Sequence, residues 1–327
     1  MKLQILIPQY KETDEVIKPL LDSLAIQQNV DLKNDLGVII VNDGSDVFLS
    51  NKLLKSYPFK IEYYKNKHKG VSATRNACLD HATADYVMFC DADDMFYNAC
   101  GLWIIFKEME GEGFDSFVSV FVEETRLPKT KEVTYINREM DSTFVHGKVH
   151  RRQYLIDNKI RWNPKLTIHE DSFFNIQCQR LSTKVKYCQS PFYLWKWRDD
   201  SVCRHDPKYI LKTFKKMLDS SDACIQEFVK RHKITIAKQL ATSMIFDCYF
   251  SMNKKEWLDQ KNQNYRLTTE KRFKDYYLKY KEYFETIDEK EKNQIIVGIK
   301  NRMFQEGLMM ESITFNDWIQ EILKIED

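Results

Sequence analysis

The chain has 327 residues, 43% hydrophobic and 30% charged, enough apolar material for the cores of about two domains and enough charge to solvate them. Its 50 basic and 48 acidic side chains leave a formal charge of +2, which excludes a general field for nucleic acid or an anionic membrane. No run approaches the roughly 20 apolar residues of a membrane span, no signal-peptide pattern opens the chain, and the eight cysteines include no Cys-x-x-Cys pair. Free buried thiols such as Cys90 and Cys248 in a reducing, cytoplasmic setting are therefore expected.

The first apolar run, residues 3–7, reads as a strand stopped by Pro8. Val16, Ile17, Leu20, Leu21 and Leu24 then recur at helical spacing, with Thr13 as the capping residue and Pro19 as a potential kink. Residues 37–41 form a second strand closed by Asn42-Asp43-Gly44-Ser45, and residues 61–64 a third. A helix runs from Gly70 through Ala82, and a fourth strand, 86–90, ends on Asp91-Ala92-Asp93-Asp94. Continuous apolar strands separated by helices predict a parallel sheet covered on both faces. From about Phe114 the pattern changes to strands over 114–122 and 133–136, helices over 151–158 and 170–181, and short strands over 185–187 and 192–197. After Asp206 it is helical. Ile210, Phe214, Met217, Leu218 and Ile225 fit one face; an apolar helix covers 234–250, a Tyr- and Lys-rich one 272–284, and a last one 315–325, with Thr314 and Asp317 at capping-box spacing. The predicted organisation is a sheet domain over 1–205 and a helical domain over 206–327 that packs against it and serves acceptor binding or oligomerisation.

In an open α/β sheet, ligands bind outside the carboxyl ends of the strands. Three such ends carry suitable groups. Pro8-Gln9-Tyr10-Lys11-Glu12 offers a strand stop, an aromatic ring for a base and a carboxylate. Asn42-Asp43-Gly44-Ser45 offers a carboxylate that can accept from the N3–H of uracil, although either segment alone also reads as an ordinary turn. The third end delivers Asp91, Asp93 and Asp94. Two like charges about 4 Å apart repel by roughly 4 kcal/mol at an effective dielectric near 20. A divalent cation relieves that repulsion and presents a Lewis acid to a diphosphate; a solvated acidic helix start is the plainer alternative. Upstream, the basic loop Asn66-Lys67-His68-Lys69-Gly70 feeds a helix N-terminus, where free N–H groups favour an anion. Arg75 follows on the second turn, within reach of a base or phosphate.

Ile5-Leu6-Ile7-Pro8-Gln9-Tyr10, Val41-Asn42-Asp43-Gly44-Ser45, Gly70 through Ala77, and Phe89-Cys90-Asp91-Ala92-Asp93-Asp94, in this order and spacing, resemble glycosyltransferase family 2. Gly147-Lys148 with Arg151-Arg152, Ile160-Arg161-Trp162 and His169-Glu170-Asp171 extend the resemblance to roughly residues 3–205. It implies the GT-A fold, an α/β architecture with a Rossmann-like, mostly parallel nucleotide-binding sheet, here with a helical C-terminal extension. It further implies an inverting, metal-dependent transfer from a nucleotide-sugar, UDP-linked, to a hydroxyl-bearing acceptor. Pro8, Tyr10, Glu12 and Asp43 would line the nucleotide pocket, with Asp43 on the base and Gly70, Arg75 and Ala92 also against the nucleotide. Asp93 would hold Mn²⁺ or Mg²⁺, Asp91 the ribose or a metal-bound water, and His205 would be a further metal ligand. Asp171, paired with Glu170, would be the catalytic base. Lys11 stands where the family commonly has asparagine, and Thr74 where it has alanine.

The acceptor expected is a bacterial glycan. A hydroxymethylated DNA base is the alternative and the only nucleic-acid role expected, and the nearly neutral charge argues mildly against it. A homo-oligomer and a peripheral position at a membrane are both compatible with the sequence. Two rival classes stand beside this reading. A sugar-nucleotide nucleotidyltransferase would carry a Gly-rich basic loop directly after the first strand, where Pro8 to Glu12 has no glycine. An inactive GT-A domain used for binding would not need its polar positions filled. His146 and His150 have the i, i+4 spacing of a helical metal pair, but Gly147 between them argues against a helix and against zinc.

Overall fold

The computed structural model describes residues 1–127, 129–139, 143–199, 201, 206, 208–259, 263–305 and 313–326. It divides into two units, Met1–Ser201 and Val202–Asp327.

The first unit is built on a seven-stranded sheet. β1 (Leu3–Gln9), β2 (Leu36–Asn42), β3 (Lys60–Lys65) and β4 (Tyr86–Phe89) are parallel and lie in the order β4-β1-β2-β3. Val, Ile and Leu fill β1 and β2 almost without interruption because helices cover both faces. One face packs on α1 (Asp14–Ala25) through Ile17, Leu20, Leu21 and Leu24; the other carries Cys78 and Leu79 of α4 (Val71–His81) and Phe174 and Cys178 of α7 (Glu170–Arg180). Thr13 stands at the N-cap of α1, but its side chain gives no cap bond and instead donates to Glu15 Oε2 at 2.6 Å; α1 runs on through Pro19.

The mostly parallel sheet is present, with one antiparallel member. β9 (Lys148–Arg151) runs between β4 and β6 (Ser116–Ser119), antiparallel to both, and β10 (Val185–Cys188) closes the edge beside β6. The single strand expected over 114–122 is two strands. The chain leaves the large sheet after Ser119 and enters a second, four-stranded sheet as β7 (Phe121–Arg126), with β5 (Met95–Phe96), β8 (Val133–Arg138) and β11 (Tyr193–Trp195). Gly147, at φ +65°, makes the matching turn: a Cβ there would lie 2.5 Å from Ser119 Oγ. α2 (Leu32–Asp35), α3 (Asn51–Leu54), α5 (Gly101–Glu110) and α6 (Arg152–Asp157) complete the unit.

The second unit is helical. α8 (Tyr209–Lys230), α9 (Ile234–Met252) and α11 (Asn264–Glu285) pack together, with α10 (Lys255–Leu258), α12 (Glu289–Gln305) and α13 (Phe315–Leu323). Phe214, Leu218 and Ile225 of α8 are buried as the periodicity requires. Ile210, one turn before Phe214 on the same face, is instead 76% exposed in the first turn of α8. Three of the five tyrosines of α11, Tyr276, Tyr277 and Tyr280, are buried in the bundle, with Phe273 stacked on Trp318 of α13 at 5.0 Å. They form part of the core of this unit. Thr314 does cap α13, accepting from Asp317 N–H at 3.1 Å. All seven cysteines described are free, and Cys78, Cys90, Cys178, Cys224 and Cys248 are buried. No helix among the described residues is long and apolar enough to cross a membrane.

Candidate active site

Adjacent parallel strands bring their carboxyl ends together, so β4, β1 and β2 deliver Asp91, Pro8 to Glu12 and Asp43 to one edge of the sheet. After β1 the chain turns sharply, and Lys11 takes a left-handed φ of +71°. Asparagine tolerates that conformation better than lysine does, which accounts physically for the residue more usual at this position. The turn is held by Gln9 Nε2 on Glu12 O at 2.8 Å and by Tyr10 N–H on Glu12 Oε2 at 2.5 Å. Burial, and the charge of nearby Asp93, raise the Glu12 carboxyl above its ordinary range.

After β2, Asp43 is buried with both oxygens engaged. Oδ1 accepts from Lys69 N–H and Oδ2 from Gly70 N–H, each at 2.9 Å. These bonds fold the basic loop back over the strand tip and fix the entry to α4, whose first turn follows Gly70 at φ +87°. The loop lies so close that a Cβ on Gly44 would fall 2.4 Å from His68 N. The His68 imidazole stacks on Tyr10 with ring centroids 4.8 Å apart, and its Nδ1 is 2.9 Å from Asp43 Oδ2.

The centre of the site is Arg75. It is 3% exposed, and its guanidinium joins three carboxylates: Nη2 donates to Asp91 Oδ1 at 2.9 Å, Nη1 to Asp171 Oδ1 at 2.7 Å and to Glu170 Oε1 at 3.1 Å. Trp162 forms a shelf beneath it, 4.5 Å from guanidinium carbon to ring centroid. That shelf is fixed twice. Its ring stacks on Phe174 at 4.2 Å, and its backbone is clamped by Asn76, which donates to Trp162 O at 2.9 Å and accepts from Trp162 N–H at 3.0 Å. Burial alone works against the Arg75 charge; Asp171, Asp91 and Glu170 more than restore it. The same burial lifts the Asp171 carboxyl to about 7, with Glu170 and Asp91 adding to the rise and Arg75 and Lys148 opposing it. Asp91 moves the other way: burial raises it, but Arg75 and His146 hold it below the ordinary carboxylate range.

The remaining aspartates have different surroundings. Asp94 is buried, accepting from Tyr193 O–H at 2.6 Å and Lys196 N–H at 3.0 Å, and burial with two neighbouring carboxylates pushes it well up. Asp93 is about one-third exposed and pairs with Arg198 at 3.0 Å; burial and Asp91 raise it. Ligand atoms of Asp91, Asp94 and His146 lie within 4.8 Å of one another. The donor chemistry fits a hard divalent cation, since an ionised Asp91 stands beside Asp93 and Asp94, whose own charge burial and repulsion disfavour. Asp93 is not in the set with Asp94 and His146; it and Asp91 are the accessible aspartates here, whereas Asp94 is sealed under Tyr193 and Lys196. His205 lies outside the described residues. His146 and His150 share no helix: His146 stacks on Tyr193 at 4.9 Å, and His150 belongs to β9, bonded to Ser116 Oγ at 2.9 Å, with burial depressing it to about 3.

The structure thus gathers Asp91, Glu170 and Asp171 on one arginine and groups Tyr10, Asp43 and Gly70 on the adjoining strand tip, with Pro8 half-buried at the end of β1 and Ala92 buried between the aspartates. Asn76, Tyr193 and Arg198 were not singled out by sequence, nor was Trp162 as a support for Arg75. Asn76 follows Arg75 directly, and that adjacency was the available signal; Tyr193 and Arg198 act across about 100 residues, and nothing local announces them.

The profile of Glycosyl transferase family 2 matches residues 4–174. The chain belongs to this family. Its relatives include poly(ribitol-phosphate) beta-N-acetylglucosaminyltransferase TarS of Staphylococcus aureus, 24% identical over 212 residues, which cover 60% of this chain and 35% of TarS. This family member therefore spans about a third of that relative's length. Among solved structures, S. aureus TarS 1-349 in complex with UDP-GlcNAc superposes with a TM-score of 0.61 at 16% identity, over 84% of this chain and 81% of that one. Mannosyltransferase PcManGT from Pyrobaculum calidifontis, in complex with GDP-Man and Mn²⁺, gives 0.50 at 11% identity, over 98% and 84%. At these identities the likeness establishes the GT-A fold. Family membership also removes the nucleotidyltransferase reading.

Proposed function

We propose that this family 2 member transfers a sugar from a UDP-linked donor to a hydroxyl of a bacterial cell-surface glycan, with inversion at the anomeric carbon. The observation that carries the reading is the Arg75 hub, which ties Asp91 at the tip of β4 to Glu170 and Asp171 at the start of α7. A donor-side carboxylate and a candidate base are thereby held on one guanidinium. The choice of UDP is supported by the TarS complex with UDP-GlcNAc, and that of a hydroxyl-bearing polymer as acceptor by the poly(ribitol-phosphate) in its name.

In this mechanism Tyr10 and Asp43 receive the base of the nucleotide. Asp171 takes the proton from the acceptor hydroxyl as that oxygen attacks the anomeric carbon. The new carbon–oxygen bond forms on the face opposite the departing diphosphate, so the configuration inverts. A carboxyl near 7 suits proton transfer at neutral pH, and a positioned base of this kind contributes about 10²–10⁴-fold. Arg75 and Glu170 orient that carboxylate. A divalent cation held by Asp91 and Asp93 would neutralise charge on the diphosphate.

Calorimetry with UDP tests the donor half of the reading. Binding should be much tighter with Mn²⁺ or Mg²⁺ than with chelator, and Asp93→Asn should remove the difference. Equal affinity with and without metal in the unaltered chain rules out the metal-dependent assignment. Stronger binding of GDP than of UDP rules out the uridine one.

A further inference from the structure

We infer that the His68 imidazole occupies the nucleobase slot and competes with the donor for it, so that His68 sets donor affinity and base selectivity. The inference rests on the proposed nucleotide pocket at Tyr10 and Asp43. Its basis is that His68 already makes both contacts a uracil would make there. Its flat ring lies on Tyr10 with centroids 4.8 Å apart and an interplanar angle of 25°. Its Nδ1 is bonded to Asp43 O at 3.1 Å and stands 2.9 Å from Asp43 Oδ2, the oxygen that uracil N3–H would reach. A base inserted between the two rings would need them about 7 Å apart, twice a van der Waals contact of roughly 3.5 Å. The slot is therefore closed while His68 is in it, and Lys11 Nζ, 5.2 Å from the centroid, also stands against the Tyr10 ring.

Side chain and backbone of His68 are held very differently. The backbone is pinned on both sides: Asn66 N–H bonds Asn42 O at 2.9 Å, and Lys69 and Gly70 N–H bond the Asp43 carboxylate. Gly44 provides the clearance that lets His68 pass, since a Cβ there would meet its nitrogen at 2.4 Å. The side chain is 58% exposed and can rotate into water without disturbing the core. Opening the slot is thus a rotamer change on a fixed loop. With His68 competing, the apparent donor affinity is the intrinsic one multiplied by the fraction of molecules whose slot is open. A base must also replace the hydrogen bond it displaces. Uracil offers Asp43 a donor N–H at N3, whereas cytosine presents an acceptor there and leaves Asp43 only its bonds from Lys69 and Gly70 N–H.

The test is calorimetry of UDP with Mn²⁺ on the full chain, comparing the unaltered protein with His68→Ala. Removing the ring should tighten UDP binding by about 2–10-fold, the scale of one aromatic stack at a surface. Proton–carbon spectra of the histidine side chains give a second readout. In the free chain the His68 ring signals should carry the shielding of the Tyr10 face, and saturating UDP should abolish it. Weaker binding by His68→Ala would make His68 a wall of the pocket and overturn the inference, as would unchanged affinity or ring signals that ignore UDP. An unaltered protein that binds no uridine nucleotide at all would instead refute the pocket assignment beneath it.

Discussion

Asp171 is under opposed influences. Burial lifts its carboxyl to about 7, Glu170 and Asp91 push the same way, and Arg75 with Lys148 restrains the rise. A base works only when ionised, so kcat/KM should increase with pH and level off above about 7. Arg75→Lys keeps a charge but loses the fork that reaches three carboxylates. With less opposition to its rise, the Asp171 carboxyl should move up, and the acid limb of the pH profile should shift to higher pH. An unmoved limb would mean that Arg75 does not govern this titration. Asp171→Asn preserves shape and removes the proton acceptor. Transfer should fall by at least about 100-fold, while UDP affinity measured separately stays within about twofold. Glu170→Gln should be milder; the reverse ranking would place the base at Glu170. The residue types were legible, because clustered aspartates at a strand end and a Glu-Asp pair opening a helix are local patterns. Their common attachment was not, because Arg75 stands 95 and 96 residues from its partners in α7.

Among the elements, the tip of β2 and the loop before α4 behave as one piece. Asp43 accepts two backbone N–H groups from that loop, and Gly44 is bare where His68 crosses it. Gly44→Ala would combine a left-handed φ of +75° with a contact of 2.4 Å to backbone. It should cost the first unit about 1–3 kcal/mol, since alanine is strained at positive φ and the backbone must shift. UDP binding should weaken with it. Gly298→Ala is the informative contrast: it lies within α12, nothing stands within 4 Å of the place its methyl would take, and alanine there should stabilise the helix by about 0.5–1 kcal/mol. Denaturant unfolding of both variants reads the difference, and similar losses in the two would refute this account of Gly44. The first four strands were readable from apolar runs because both faces of that sheet are covered. β9 was not: Lys148 and His150 are buried polar residues, and the pattern of Lys148–Arg151 carries no strand period. α5 was missed as well, since its N-cap, Cys100, offers no side-chain bond to announce a start.

Across the whole molecule, every described residue assigned here to donor binding or proton transfer lies in Met1–Ser201, and each unit has a core of its own. The second unit spends most of its buried aromatic residues on that core, while Phe304 is 85% exposed. Tyr249, Phe273, Phe315 and Trp318 pack on one another, while Arg272 ties Asp219 and Asp222 together at 2.7 and 2.9 Å. What α11 leaves exposed is mixed: Lys279 and Lys281 stand with Leu267 and Leu278, 46% and 52% exposed. A chain ending at Asp206 keeps the whole sheet domain and His205. It should bind UDP with an affinity within about twofold of the full chain, because that difference corresponds to less than one lost hydrogen bond. Slow hydrolysis of the donor by water should persist, while transfer to the acceptor should be lost. Circular dichroism and a cooperative thermal transition establish that the shortened chain is folded before either activity is read. A folded, shortened chain that still transfers sugar at the full rate would free the helical unit of any part in acceptor capture. One that no longer binds UDP would move part of the donor site into the helices.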